Sequence, residues 1–388
     1  MAVINRIAEY EPELRAWRRH LHTIPELDFD LFQTAAFVEE RLREIGVDEI
    51  HTGIAKTGIV ALIRGQGEGP VTGLRADMDA LPIEEMTGLD YASKTPGRMH
   101  ACGHDGHTTI LLGAARYLAE TRNFAGTVAL IFQPSEELSG GGQVMVDEGI
   151  MERFGITRVF GLHNAPGVEF GRIATRPGPL MAAADEFHIT VSGQGGHGAY
   201  PHQAIDPVPA ALQIAQGLQA IPARRIDPFA NAVISLTMLK GSDATNIIPQ
   251  NVELAGTVRT LDEALRDRIE ADIGLLAESA AVANRCTAAL RYHRGYPVTV
   301  NDADQAAFAA RVAADVVGEA MVTPDCQPEM GAEDFSYMLK ARPGAYVFLG
   351  AGDGPFPHHP QYDFNDDISP IGASWMVRLI ELGQPRAG

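Results

Sequence analysis

The sequence predicts an α/β protein in two parts, a mixed-sheet α/β domain interrupted by an inserted α+β domain of ferredoxin-like pattern. Two observations carry this. Short β-rich runs alternate with amphipathic helical runs toward both ends of the chain, while a β-α-β-β-α-β order fills residues 187–293. The texture changes at Pro177-Gly178-Pro179 and again after Gly295. At 388 residues the chain is too long for one ordinary core and long enough for two. The expected boundaries are 1–179 with 294–388 for the outer domain and 180–293 for the insert.

Taken in order, Glu11 to Leu21 and Thr34 to Ile45 carry apolar residues at helical spacing, and Gly46 closes the second as a C-terminal stop. The β-rich runs are GIVALI at 58–63, VTGLRAD at 71–77, TVALIF at 127–132 and RVFGLH at 158–163, with an amphipathic helix from His107 to Glu120. Strands separated by helices imply a parallel or mixed sheet covered on both faces. The insert reads FHITVSG, helical DPVPAALQIAQGLQAI, NAVISLTMLKG, VELAGTVRT, a helix from Asp262 to about Ala283, and AALRYH. A helix from Ala303 to Val317, a strand YVFLG at 346–350 and a closing helix from about Ile371 complete the outer domain.

Composition excludes several classes of function. Thirty-one basic against fifty acidic residues give a net charge of -19, with no basic block, which argues against nucleic acid and anionic membrane as partners. The longest apolar stretch, TTILLGAARYLA, is too short to span a bilayer and contains Arg116. The opening MAVINRIAEYEPELRAWRRH lacks the pattern of a signal peptide, and Cys102, Cys286 and Cys326 form no C-x-x-C pair. A cytoplasmic, reducing location is therefore expected.

In an open α/β sheet, ligands bind beyond the carboxyl ends of the strands. The residues there are polar: Asp77 and Asp79 in VTGLRADMDALP, Glu136 and Glu137 in FQPSEE, His163 in FGLHN. The run MHACGHDGH adds His100, Cys102, His104, Asp105 and His107 before a helix. Thiolate, imidazole and carboxylate together suit a borderline transition ion rather than magnesium or calcium, leaving zinc, manganese, cobalt or nickel. Cys102, His104, Glu137, His163 and a distal histidine of FPHHPQYDF make five protein ligands, more than one tetrahedral ion with an open position uses. Two ions sharing a bridging ligand fit better. Of the adjacent glutamates, whose side chains diverge, one can ligate while the other faces water as a general base. Asp79 is a further catalytic candidate beside the glutamates, whereas His22 and His107 read as structural.

Collinear strings, RRHLHTIPEL, GLRADMDALPI, HACGHDGHTT, FQPSEE, GLHN, GQGGHGAYPH, ATNIIPQ, GTVRT, GAEDFS and HHPQYDFND, resemble the motifs of the dinuclear amidohydrolases that include hippurate hydrolase, N-acyl-L-amino-acid amidohydrolase, N-acetyldiaminopimelate deacetylase and indole-acetyl-amino-acid hydrolases. The resemblance implies a zinc-exopeptidase-like catalytic domain with an inserted lid and dimerisation domain. It implies two divalent ions per subunit, held by Cys102, His104, Glu137, His163 and His358 rather than His359. Glu136 matches the general base, and His197, Asn246 and Arg259 match substrate-holding residues of the lid. Metallopeptidase relatives carry a histidine where Asp77 stands, so the resemblance gives Asp77 no role.

The expected function is hydrolysis of the amide bond of a small N-acyl amino acid by a water bridging two metal ions, with Glu136 as base and Arg259 on the substrate carboxylate. A homodimer through the inserted domain is the expected assembly. An aminopeptidase or dipeptidase of the same fold is the alternative within this chemistry, and a silent metal-binding scaffold the alternative outside it.

Overall fold

The β-rich runs of the outer parts become neighbours in one eight-stranded mixed sheet. Its order is Glu49–Ile54, Gly58–Arg64, Thr127–Gln133, Val71–Asp77, Ile156–Pro166, Gly344–Gly352, Ile173–Ala174 and Val322–Thr323. This is a computed structural model, which describes residues 3–386. The four strands from Thr127–Gln133 through Gly344–Gly352 run parallel to one another. Parallel strands are covered on both faces, which is why they read as apolar runs rather than alternating ones. In Thr127–Gln133, for example, every residue after Thr127 is buried. Because the four run in one direction, Asp77, Gln133 and the end of Ile156–Pro166 emerge on the same side.

Helices Glu11–His22, Phe32–Ile45, His104–Thr121, Ala303–Val317 and Ser369–Gly383 belong to the same unit. Leu14, Val38, Leu42, Leu111, Leu118 and Trp375 join Phe132 and Phe160 of the sheet in one core. Gly46 ends the second helix with φ 80°. The helix expected from His107 starts three residues earlier, at His104, because Gly103 turns the chain in a left-handed conformation immediately before it. Glu49–Ile54 was not anticipated as a strand. It is a half-exposed edge strand, paired antiparallel with Gly58–Arg64 through a turn in which Ala55 and Lys56 have φ 45° and 73°. Asn-Gly or Asp-Gly normally marks such a turn, so its chemistry is not written in the residues.

Two compact units emerge. One contains the chain up to Leu180, Val300–Gln327 and the chain from Asp334 on; the other contains Met181–Thr299 and Pro328–Glu333. The second unit has an antiparallel sheet in the order Ala232–Lys240, Asn251–Thr260, Ala183–Ser192, Thr287–Arg294. Helices Val208–Arg224 and Glu263–Ala283 give the β-α-β-β-α-β order read from the residues. Asp262 caps the second helix by accepting the Leu265 N–H at 2.6 Å. Phe187, Ile189, Val191, Leu254 and Val258 pack with Ile214, Leu218, Ile269 and Ile273. With Val258 in that core, strand alternation puts Arg259 on the face away from the helices. Among the described residues no helix is long and apolar enough to cross a membrane.

Candidate metal centre

The carboxyl ends of the parallel strands deliver the polar residues of the first unit to one place. Asp77 ends its strand and Asp79 follows; Glu136 and Glu137 follow Thr127–Gln133; His163 lies near the end of Ile156–Pro166; His358 lies in the loop after Gly344–Gly352. Cys102 and His104 flank Gly103, whose φ is 97°. A Cβ at Gly103 would stand 2.2 Å from Asn164 Oδ1 and 2.6 Å from Tyr362 Oη, so this turn requires glycine for space as well as conformation. His358 also holds a left-handed φ of 67°, its N–H bound to the Ala101 carbonyl at 2.7 Å. A non-glycine residue in that region marks a conformation kept by its surroundings.

Two ligand groups overlap. Cys102, His104 and His163 offer donor atoms within 4.8 Å of one another, and so do Cys102, Glu137 and His358. Cys102 is common to both. Its Sγ lies 3.3 Å from His163 Nε2, while Glu137 Oε2 lies 3.3 Å from His358 Nε2 and Glu137 Oε1 lies 3.8 Å from His104 Nε2. His163 donates Nδ1–H to the Asn164 carbonyl at 2.7 Å, which leaves Nε2 as a lone-pair donor. Burial and the neighbouring His107 and His104 lower the His163 pKa to about 3, so its ring stays neutral. His358 is the accessible member, with half its side chain exposed.

The donor set fits divalent cations. Both His104 nitrogens and Glu137 Oε1 are buried without a hydrogen-bond partner among the described residues, an arrangement that costs about 1–3 kcal/mol per group unless something else satisfies it. Burial alone would lower the His104 pKa, but Asp77, Asp79 and Glu137 outweigh it and raise the pKa to about 10. The Cys102 thiol is pushed well up by burial and by Glu137, Glu136 and Asp77. A cluster that holds a histidine charged and a thiol neutral calls for added positive charge, and a bound cation inverts both tendencies.

Asp79 ties the centre together. Its Oδ1 accepts the Glu136 N–H and its Oδ2 the Glu137 N–H, each at 3.0 Å, and Oδ1 also lies 3.3 Å from His104 Nδ1. One carboxylate therefore sets the backbone of both glutamates and faces the ring of a candidate ligand. Beneath it, buried Arg75 donates to Asp77 at 2.6 Å, to Gln133 at 2.9 Å and to Asp334 at 2.9 Å. Asp77 also meets His107 Nδ1 at 2.6 Å, and the Asn164 N–H reaches His107 Nε2 at 3.0 Å. Although burial opposes it, Arg75, His104 and His107 hold the Asp77 carboxyl well below the usual range. Asp77, His104 and His107 also form a compact acid–imidazole group, but Arg75 and Asn164 already occupy Asp77 and His107. Arg75, Gln133 and Asp334 were not singled out in the sequence. A charged residue inside an apolar strand run was the available signal for Arg75.

His359 is turned to another task, its Nδ1 accepting the Gln361 N–H at 3.1 Å, so the geometry brings His358 to Glu137. In the second unit His197 pairs with Ile247, and the Gly198 N–H bonds the Asn246 carbonyl at 2.8 Å, so His197 and Asn246 are neighbours. His197 Nδ1 accepts the Ala199 N–H at 3.0 Å. Arg259 stands apart on the four-stranded sheet; its guanidinium bonds only the Val258 carbonyl, at 3.2 Å, among the described residues.

Comparison with known proteins identifies the family of the chain. The profile of peptidase family M20/M25/M40 matches residues 73–382. The chain is 39% identical over 372 residues to an N-acetyl-L-cysteine deacetylase of Bacillus subtilis, covering 96% of this chain and 88% of that one. It is 38% identical over 379 residues to a hippurate hydrolase of Campylobacter jejuni, covering 98% of each. A Bacillus subtilis structure described as a dinuclear metal binding peptidase of the M20 family superposes with a TM-score of 0.86 at 34% identity, over 97% of this chain and 99% of that one. The chain belongs to the M20/M25/M40 peptidase family, and it is a hydrolase.

Proposed function

We propose that this hydrolase cleaves the amide bond of N-acyl amino acids at a two-metal centre. The observation that carries the reading is the pair of ligand groups sharing Cys102, with Glu136 beside them. Cys102, His104 and His163 would hold one ion, and Cys102, Glu137 and His358 the other. Bound there, divalent ions such as Mn, Zn, Co or Ni would polarise the scissile carbonyl and acidify water.

The chain's own groups supply the rest. Glu136 takes a proton from the attacking water and passes it to the departing amine nitrogen. Asp79 is a positioning residue, acting through the two backbone N–H groups it accepts and through His104. His197, whose Nδ1 is an acceptor, carries its proton on Nε2 when neutral and is suited to donate to the developing oxyanion, with Asn246 next to it. Arg259, with no carboxylate partner among the described residues, is suited to the substrate carboxylate, which it can meet with a forked pair of hydrogen bonds.

The insert, residues 180–293 between 1–179 and 294–388, would serve as lid and dimerisation domain. Its edge strand Ala232–Lys240 carries exposed Val233, Met238 and Leu239, whereas the opposite edge, Thr287–Arg294, carries Arg291, His293 and Arg294. Charged edges resist pairing and apolar edges invite it, which supports a homodimer formed along Ala232–Lys240. The scarcity of cysteine, with no C-x-x-C pair among Cys102, Cys286 and Cys326, supports a reducing, cytoplasmic location.

The test is a screen of acetyl, benzoyl, long-chain acyl and indole-acetyl amino acids on enzyme of known metal content. Turnover of at least one of these series is expected. Failure on all of them, with rapid cleavage of dipeptides bearing free amino termini, would replace the reading with a peptidase.

A further inference from the structure

We propose that His22 is a positioning residue for the Cys102–His104 turn, acting through Asp105. The proposal rests on the two-metal reading of that turn. His22 ends the helix Glu11–His22 within RRHLHTIPEL and is completely buried, yet the chemistry above gives it no task. Its Nδ1 lies 2.8 Å from Asp105 Oδ2 and its Nε2 faces Glu85 Oε2 at 3.4 Å. Tyr91 meets the ring edge-on at 5.9 Å between centroids, and His100 lies at 6.3 Å. Arg18 approaches the same Asp105 oxygen at 3.8 Å while bonded to Asp366 at 2.6 Å and Asp363 at 3.1 Å.

Asp105 follows His104 directly, in the first turn of His104–Thr121. Of the two ring nitrogens of His104, Nδ1 faces Asp79 Oδ1 at 3.3 Å and Nε2 has no hydrogen-bond partner among the described residues, so the backbone shares in placing that ring. Asp105 anchors the peptide that follows it: its Oδ1 accepts the Gly106 N–H at 2.9 Å and its Oδ2 is gripped by His22. Burial opposes a charge on His22, but Asp105 and Glu85 outweigh it and raise the pKa to about 9, so the contact is an ion pair at neutral pH. The same motif holds the other side of the centre. The Glu26 carbonyl accepts the Ala80 N–H at 2.8 Å, next to Asp79, while its carboxylate accepts the backbone N–H groups of Gln33 and Thr34. RRHLHTIPEL thus grips from behind both the turn that carries His104 and the loop that carries Asp79.

Loss of a partner that orients a metal ligand typically weakens metal binding by about 10–100-fold. The experiment is a competition of the full chain against a chelating dye for Zn²⁺ and Mn²⁺ at pH 7, with thermal unfolding followed in parallel. His22→Leu should bind metal about 10–100-fold more weakly and unfold at a lower midpoint, since Asp105 and Glu85 lose a buried partner; His22→Gln should recover part of both losses, and the metal loss in His22→Leu with Asp105→Asn should be no more than the larger single loss. Folded His22→Leu with wild-type affinity would overturn the proposal, as would losses that simply add in the double variant. If His22→Leu does not fold, His22→Gln and Asp105→Asn decide it, and wild-type affinity in both overturns it. Absence of metal binding by the wild-type chain would instead overturn the two-metal reading.

Discussion

In the first unit, Glu136, Glu137 and His104 are buried around one carboxylate, Asp79, which fixes two backbones and faces one ring. In the second unit, His197 and Asn246 are exposed, and Arg259 is half-buried with one bond to its own strand. The carboxylates and His104 of the first unit are held tightly, while His197, proposed for the oxyanion, and Arg259, proposed for the substrate carboxylate, keep few bonds of their own. The physical reason is a difference in tolerance. Bond-breaking constellations must be kept to within about half an ångström, whereas a guanidinium meeting a carboxylate gains from a partner that arrives later.

The sharpest way to break this comparison is at Glu136. Glu136→Gln keeps shape and removes the proton acceptor, so kcat on an N-acyl amino acid should fall by about 10²–10⁴-fold while metal content is retained. Glu137→Gln should instead lower metal content. The reverse pattern, read by steady-state kinetics and elemental analysis, would exchange their roles. Arg259→Ala should cost about 1.5–3 kcal/mol in kcat/KM on N-acyl amino acids, the worth of a charged hydrogen-bonded contact, and spare the corresponding amino-acid amides. An equal proportional loss on both would remove it from carboxylate recognition.

Asp79→Asn keeps an acceptor for one of the two backbone N–H groups and sets an NH₂ against the other. Metal affinity should fall toward the lower end of about 10–100-fold, with a parallel fall in kcat. Unchanged affinity, measured by chelator competition, would make the backbone anchoring incidental. The smallest effect concerns assembly. Leu239→Lys puts a charge on the apolar edge strand and should shift the chain from dimer to monomer in sedimentation, with the unfolding midpoint little changed. A monomeric wild type would remove the edge-strand argument.

Strand ends and the Cys102-Gly103-His104 turn were legible because apolar runs ending in acidic or imidazole residues are an unusual pattern, and the parallel sheet brings those ends together. The choice between His358 and His359 rested on resemblance; the residues alone leave two adjacent histidines equivalent, and a left-handed backbone at His358 decides which one turns inward. Asp79 was legible as a site residue but not as an anchor, because its partners are main-chain N–H groups that carry no side-chain signature. The Arg75, Gln133 and Asp334 network joins residues far apart in the chain, which periodicity does not record. Among strands, Glu49–Ile54 escaped notice because it is short, polar and turned by Ala55-Lys56.

The most direct test of the two-metal account is a titration of metal-free enzyme. Chelator-treated protein, verified by elemental analysis, is supplied with Mn²⁺, Co²⁺ or Zn²⁺ while turnover of an N-acyl amino acid is followed. Turnover should be abolished without metal and should recover with added ion, levelling off near two equivalents per chain, with Cys102→Ala binding less metal and recovering less. Full turnover by a verified metal-free preparation would contradict the account.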